Sequence, residues 1–196
     1  MARTPSTMLE LGTQAPAFEL QNFNANVAEK SVNIDDARGP QGMLVMFICN
    51  HCPFVIHVAD EIARLGHDAK SHGIGVVAIM PNDVITHPDD APSHMTELAE
   101  KLGFTFPYLY DETQEVAKAY KAACTPDFFL FDRDLKLVYR GQLDDARPGN
   151  DEPITGRDLR DALHAVAQGA PVEISQKPSI GCNIKWKAGN EPDYFG

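Results

Sequence analysis

Residues 43–53 read Met-Leu-Val-Met-Phe-Ile-Cys-Asn-His-Cys-Pro. The apolar run Met43–Ile48 is unbroken and is flanked by Gly42 and Cys49. Its length suits a strand buried on both faces. Beyond Pro53, the residues Phe54, Val58, Ile62, Leu65 and Ala69 recur at three- and four-residue spacing. That spacing predicts an amphipathic helix running to about Ser71 and stopped by Gly73. The tetrad Cys49-Asn50-His51-Cys52 therefore falls where a buried strand passes into a long helix.

Outward from this junction the pattern continues. Residues 74–79 predict a second buried strand, and Pro88 to Leu102 predicts a helix closed by Gly103. Residues 108–110 make a short strand, and Thr113 to Tyr120 a short helix with Thr113 as its cap. Residues 128–131 and 137–139 flank a polar turn and read as a hairpin. Arg157 to Ala167 predicts a last helix, capped by Thr155 and ended by Gly169. Short strands near residues 17–20 and 32–34 form an N-terminal hairpin extension. The expected fold class is α/β, with a central mixed sheet and helices on both faces. The expected organisation is one domain over residues 9–170, with residues 171–196 as a tail packed on it.

The totals narrow the function. Hydrophobic residues are 43% and charged residues 23% of 196, an ordinary globular composition. A net charge of −11 gives no footprint for nucleic acid or an anionic membrane. No apolar run approaches the ~18 residues of a membrane helix. Met1 to Gly12 lacks an apolar core of the secretory kind, so a cytoplasmic address is expected.

The chemistry lies in the tetrad. Residues three apart at a helix start lie about 5–6 Å apart at Cβ, close to what a disulfide needs. Unpaired N–H groups and the partial positive charge at a helix N-terminus stabilise a thiolate, the nucleophile of disulfide exchange. Cys49, coming first and expected to be more exposed, is assigned the attack, and Cys52 the resolving step. A protonated His51 adds positive charge beside the thiolate; the plainer alternative is an exposed helix residue. The same spacing serves zinc, but a structural zinc site takes four ligands, and Cys124 and Cys182 have no ligand-type neighbour three or four residues away.

Thr125-Pro126 opens the strand before Phe128, where a cis bond would leave the Thr125 backbone free to pair with an extended substrate. Together with Leu11-Gly-Thr-Gln-Ala-Pro-Ala-Phe-Glu-Leu20 and Asp111-Glu-Thr-Gln-Glu-Val-Ala-Lys-Ala-Tyr120, these residues resemble the thioredoxin superfamily, its redoxin (AhpC/TSA-like) branch. The segments Gln142-Leu-Asp-Asp-Ala-Arg147 and Gly181-Cys-Asn-Ile-Lys-Trp186 resemble a peroxiredoxin-like subgroup. The resemblance implies a thioredoxin fold, a cis Thr125-Pro126, and thiol chemistry at Cys49 and Cys52. The candidate substrate contacts are Thr125, Pro126 and Asn50.

Two departures stand out. Met43 occupies the position where thioredoxins carry a buried aspartate relay. Aligning the peroxiredoxin motif PxxxTxxC on Cys52 places Val45 at its proline and Cys49 at its threonine. The expected function is dithiol–disulfide exchange on a protein or small-molecule disulfide or thiol. The alternatives are a thiol-dependent peroxidase and a redox-inert zinc or structural module. No cofactor beyond a Cys49–Cys52 disulfide and no metal are expected. Cys124 and Cys182 read either as buried thiols or as secondary redox partners. Ile184 and Trp186 should cover apolar surface. Asp144, Asp145 and Arg147 read either as a charged rim near the centre or as a solvated loop.

Overall fold

The computed structural model describes residues 3–173 and 175–195. Met1, Ala2, Ile174 and Gly196, which the expected N-terminal stretch and tail include, lie outside the described residues.

In chain order the strands and helices are β1 (Arg3–Pro5), β2 (Glu19–Asn22), β3 (Ser31–Asn33), α1 (Ile34–Ala37), β4 (Gly42–Phe47), α2 (Pro53–Ser71) and β5 (Ile74–Met80). There follow α3 (Pro92–Leu102), β6 (Tyr108–Tyr110), α4 (Glu115–Ala119), β7 (Cys124–Thr125), β8 (Asp127–Asp132), β9 (Leu137–Gly141), α5 (Arg157–Ala167) and β10 (Ile180–Asn183). Seven strands form one mixed sheet in the order β3-β2-β6-β5-β4-β8-β9. β4 runs parallel to β5 and antiparallel to β8, so it lies inside the sheet with a neighbour on each side. The N-terminal hairpin β2–β3 extends this sheet by pairing antiparallel to β6.

β4 is buried along its whole length because both sheet faces are covered. Leu44 and Met46 pack with Val58 and Ile62 of α2, Met95 of α3 and Leu159 of α5. Met43, Val45 and Phe47 point the other way, toward Ala117 of α4, Tyr120, Ile184 and Trp186. The alternation follows from the two-residue period of a strand.

Three local expectations need correction. The helix predicted from Pro88 to Leu102 is two pieces, a 3-10 turn over Pro88–Asp90 and then α3. Ala91 between them is extended (φ −57°, ψ 151°), as the residue before Pro92 is pushed to be. The α4 cap is Gln114, not Thr113; Gln114 takes a left-handed backbone (φ 66°) and its side chain is used elsewhere. The α5 cap is Gly156 rather than Thr155, since the chain enters that helix through a left-handed turn.

The tail does more than cover the domain. β10 is the middle strand of a second, three-stranded sheet in the order β1-β10-β7, pairing Arg3 with Cys182 on one side and Thr125 with Cys182 on the other. Ile184 is fully buried and Trp186 8% exposed, so both seat the tail on the core, as expected. Truncating Ile184 to alanine should cost about 2–5 kcal/mol of unfolding free energy by the cavity it leaves. Urea denaturation of Ile184→Ala against the wild type measures this, and an unchanged midpoint would show that the tail is not part of the cooperative core.

Candidate active site

The site grows from the junction of β4 and α2. Helix α2 begins at Pro53, whose missing N–H is tolerated in the first turn, and Cys52 is the cap residue with extended backbone (φ −69°, ψ 123°). Cys52, not Cys49, thus stands at the helix start, and Cys49 lies on the strand side of the turn. The expectation that Cys49 is the more exposed also fails. Cys49 is 1% and Cys52 0% exposed, because the tail strand and the cis Thr125-Pro126 turn lie over them.

One residue meets both sulfurs. The Thr125 hydroxyl lies 3.3 Å from Cys49 Sγ, and the Cys52 thiol donates to the Thr125 carbonyl at 3.2 Å. The thiols also hydrogen-bond to each other, and that bond is the largest influence holding Cys52 down, to about 5. Burial opposes the shift; the Cys182 thiol and the backbone N–H groups of Val55 and Cys182 reinforce it. Cys49 moves the other way, well up, through burial first, then its bond to Cys52 and the charge of Asp90. The physical asymmetry is plain: Cys52 faces backbone N–H donors, whereas Cys49 faces a carboxylate.

Asp90 is the polar hub. It is fully buried, accepts from Asn50 N–H at 2.8 Å and from Asn82 Nδ2 at 2.7 Å, and lies 2.7 Å from His51 Nδ1. The His51–Asp90 contact is at ion-pair distance without hydrogen-bond alignment. Burial raises the Asp90 carboxyl, but His51, Asn82 and the Asn50 N–H outweigh it and hold Asp90 below its usual range. Asp90 in turn biases His51 toward the imidazolium. The His51 ring stacks on His87 at 5.3 Å, and burial and the neighbouring His51 push His87 down. The Asn50 side chain is spent on the fold: Tyr108 donates to its Oδ1 at 2.9 Å, and its Nδ2 donates to the Asp89 carbonyl at 3.1 Å.

Cys49 Sγ, a His51 ring nitrogen and an Asp90 oxygen lie within 4.8 Å of one another, a donor set that could hold a divalent ion. Cys124 is fully buried, with its thiol 3.6 Å from the Pro126 carbonyl. Asp127, next to it, has both carboxylate oxygens buried without a hydrogen-bond partner, and burial keeps it protonated far above the usual carboxylate range.

The segment 142–147 is neither a bare rim nor a solvated loop. Asp144 is buried and accepts from the N–H groups of Ala146, Thr155 and Gly156 at 2.9, 2.7 and 2.7 Å. Asp145 faces Lys177 near the surface. Arg147 helps to line a small cavity with Phe54, Pro126 and Ile180 beside the cis-proline turn.

The Thr125 backbone expected to be open is occupied. Cys182 of β10 pairs with it, and a Cβ on Gly181 would stand 2.0 Å from the Thr125 carbonyl oxygen. Only glycine lets the tail backbone approach so closely. Asn82 ties tail to hub by accepting from Lys185 N–H at 2.8 Å while donating to Asp90. Gln114, fully buried, donates to the carbonyls of Pro81 and Lys185 at 2.7 and 3.0 Å and accepts from Lys187 N–H at 2.9 Å.

Asp90, Asn82, Gln114 and Asp127 did not emerge from the sequence. Asp90 falls in the first turn of the helix that the sequence predicts from Pro88, where an acid is commonplace. The Pro92 two residues on, which ends that reading, was the available signal.

A thioredoxin-type sheet with its cysteine pair at the central strand–helix junction and a cis-proline turn opposite defines the class of protein: a thioredoxin-fold redox protein. The chain belongs to the AhpC/TSA family, whose profile matches residues 11–140. It is 55% identical to a conserved protein from Geobacillus kaustophilus, with a TM-score of 0.91 over 95% of this chain and 97% of that one. A Mycobacterium tuberculosis (strain H37Rv) protein described as a candidate peroxiredoxin is 29% identical over 119 residues, 61% of this chain and 68% of its own. A secreted disulfide oxidoreductase of M. tuberculosis shares the fold alone, with a TM-score of 0.58 at 14% identity over 76% of this chain and 95% of that one.

The hub yields a test. His51 is raised from 6.5, so its share of stability is full below 6.5 and fades as pH climbs through its native midpoint. Asp90 is lowered from 3.8, so its share is present above 3.8 and fades as pH falls through its native midpoint. The loss of Tm on Asp90→Asn should therefore be greatest between pH 3.8 and 6.5. NMR titration should show the His51 midpoint above 6.5 in the wild type and lower in the variant.

Proposed function

We propose that this chain is a thiol–disulfide oxidoreductase that works by dithiol–disulfide exchange between Cys49 and Cys52 and a disulfide or thiol of a protein or small molecule. The observation that carries the reading is the pair itself. Two thiols meet the same residue, Thr125, at 3.3 and 3.2 Å where a strand passes into a helix, and the influence of Cys49 on Cys52, helped by backbone N–H groups, favours charge on Cys52. Family membership and the oxidoreductase fold neighbour support the same reading.

In the reducing direction, the Cys52 thiolate attacks a substrate sulfur. A Cys52–substrate S–S bond forms, the substrate S–S bond breaks, and the released thiolate takes a proton. Cys49 then gives up its proton and attacks Cys52. The Cys49–Cys52 bond forms, and the second substrate sulfur leaves and is protonated. His51, biased toward its cation by Asp90 and close to Cys49, is placed to hold the travelling proton. These roles for Cys49 and Cys52 reverse the assignment suggested by their order in the chain, because Cys49 first, and then the Cys182 thiol and the N–H groups of Val55 and Cys182, favour charge on Cys52. Thr125 and Pro126 form the wall of the pair. Asn50 supports the loop rather than offering a free side chain.

The peroxiredoxin description of the M. tuberculosis relative supports a second reaction of the same sulfur. A peroxide would oxidise the Cys52 thiolate to a sulfenic acid, and Cys49 would close on it with release of water. Val45 and Cys49 in place of the peroxidatic proline and threonine favour exchange over this route.

Cys52→Ser should slow dithiothreitol-driven insulin reduction at least about a hundredfold, as loss of a covalent nucleophile does. Equal rates for variant and wild type would overturn the proposal. The alkylation rate of Cys52 by iodoacetamide should rise with an inflection near pH 5 rather than near 9. Peroxide consumption that survives where exchange is absent would move the assignment to the second reaction.

A further inference from the structure

The tail strand raises a question that a simple two-cysteine centre leaves open. In β10, Cys182 lies directly across from Thr125, the residue whose hydroxyl and carbonyl meet the two sulfurs. The antiparallel edge beside the cis proline is where an extended substrate segment would pair, and this chain fills it with its own cysteine-bearing strand. The fit is built in. Gly181 removes the side chain that would strike the Thr125 carbonyl, and β1 flanks β10 on its other side. Ile184, Trp186 and the Gln114 hydrogen bonds fix the chain beyond it. Cys182 sends its backbone N–H and its thiol to Cys52 Sγ.

We infer that Cys182 is a third redox residue, which takes the place of a substrate cysteine and forms a Cys52–Cys182 disulfide. The inference rests on the proposed exchange chemistry and extends it from a pair to a triad. Starting from Cys49–Cys52, Cys182 loses its proton and attacks Cys52. The Cys52–Cys182 bond forms, the Cys49–Cys52 bond breaks, and Cys49 leaves as a thiolate that takes up the proton. No external oxidant enters, and the electron count of the protein is unchanged. Cys52 is the hub of both disulfides because its thiol bonds to the Thr125 carbonyl, Cys182 pairs with Thr125 from the tail, and both Cys49 and Cys182 act on its charge. The same exchange in reverse lets an oxidised tail hand its disulfide back to the Cys49–Cys52 pair. Burial and the bond to Cys52 keep Cys182 protonated, up to about 12, while Cys52 carries charge. Oxidation of Cys52 removes that charge and with it one restraint on the Cys182 thiol.

The test uses the full-length Cys49→Ser protein, reduced and then exposed to oxidised glutathione. Cys52 attacks the glutathione disulfide and releases one glutathione thiolate. Cys182 then displaces the second. Quenching in acid, alkylation and mass spectrometry of tryptic peptides read the product. A linked Cys52–Cys182 peptide should exceed the glutathionylated Cys52 peptide by about tenfold, since a neighbouring thiol acts at high effective concentration. The double variant Cys49→Ser/Cys182→Ser should instead accumulate the glutathione adduct. If Cys49→Ser keeps the adduct at Cys52 while Cys182 remains alkylatable, the inference falls and the proposed exchange stands. If Cys52 takes up no glutathione in either variant, both fall together. Should Cys49→Ser misfold by circular dichroism, Cys49→Ala in the same protocol gives the same two outcomes. A Cys124→Ser control should leave the linked peptide unchanged, and its loss there would reassign the partner of Cys52.

Discussion

The contact between Thr125 and the two sulfurs organises the site. Its hydroxyl reaches Cys49 and its carbonyl reaches Cys52, so the cis-proline turn and the start of α2 are held together through the two sulfurs. Everything nearby is placed relative to that contact. β4 and β8 pair side by side and end with Cys49 and Thr125 adjacent in space, although 76 residues separate them. The remaining edge of Thr125 is closed by β10, which brings Cys182 against Cys52.

Electrostatics then decides which sulfur carries charge. Both are buried, and burial alone would keep both protonated. The bond from Cys49 breaks the tie in favour of charge on Cys52, with the Cys182 thiol and the N–H groups of Val55 at the helix start and of Cys182 on the tail strand adding to it, while Cys49 faces the buried Asp90 carboxylate. Asp90 is kept ionised in a dry place by His51 and Asn50 of the cysteine turn and by Asn82 of the loop after β5. A buried charge of this kind is tolerable only when nearly every lone pair is met. The hub therefore couples the loop after β5, the cysteine turn and the tail into one unit.

Much of the fold was legible beforehand. The unbroken apolar run at 43–48 and the helical spacing from Phe54 to Ala69 are local signals, and β4 and α2 occupy nearly those residues. The hairpin around residues 132–136 and the last helix were likewise written in short-range pattern. The splits and caps were less legible. A helix through Ala91 fits the apolar spacing, and only the steric demand of Pro92 on the preceding residue breaks it.

The sequence by itself determined that a cysteine pair would sit at a strand–helix junction, because spacing of three and a helix start are properties of neighbouring residues. Which cysteine meets the helix donors depended on the residue at which α2 begins, with Cys52 as its cap and Cys49 left on the strand side. Long-range pairing also lay beyond local pattern. Nothing in Ile180–Asn183 read alone says that it will pair with a strand more than fifty residues earlier. Burial of Ile184 and Trp186, the glycine-sized gap at Thr125 and the reach of Gln114 fix that register together, and they exist only once the chain has closed on itself.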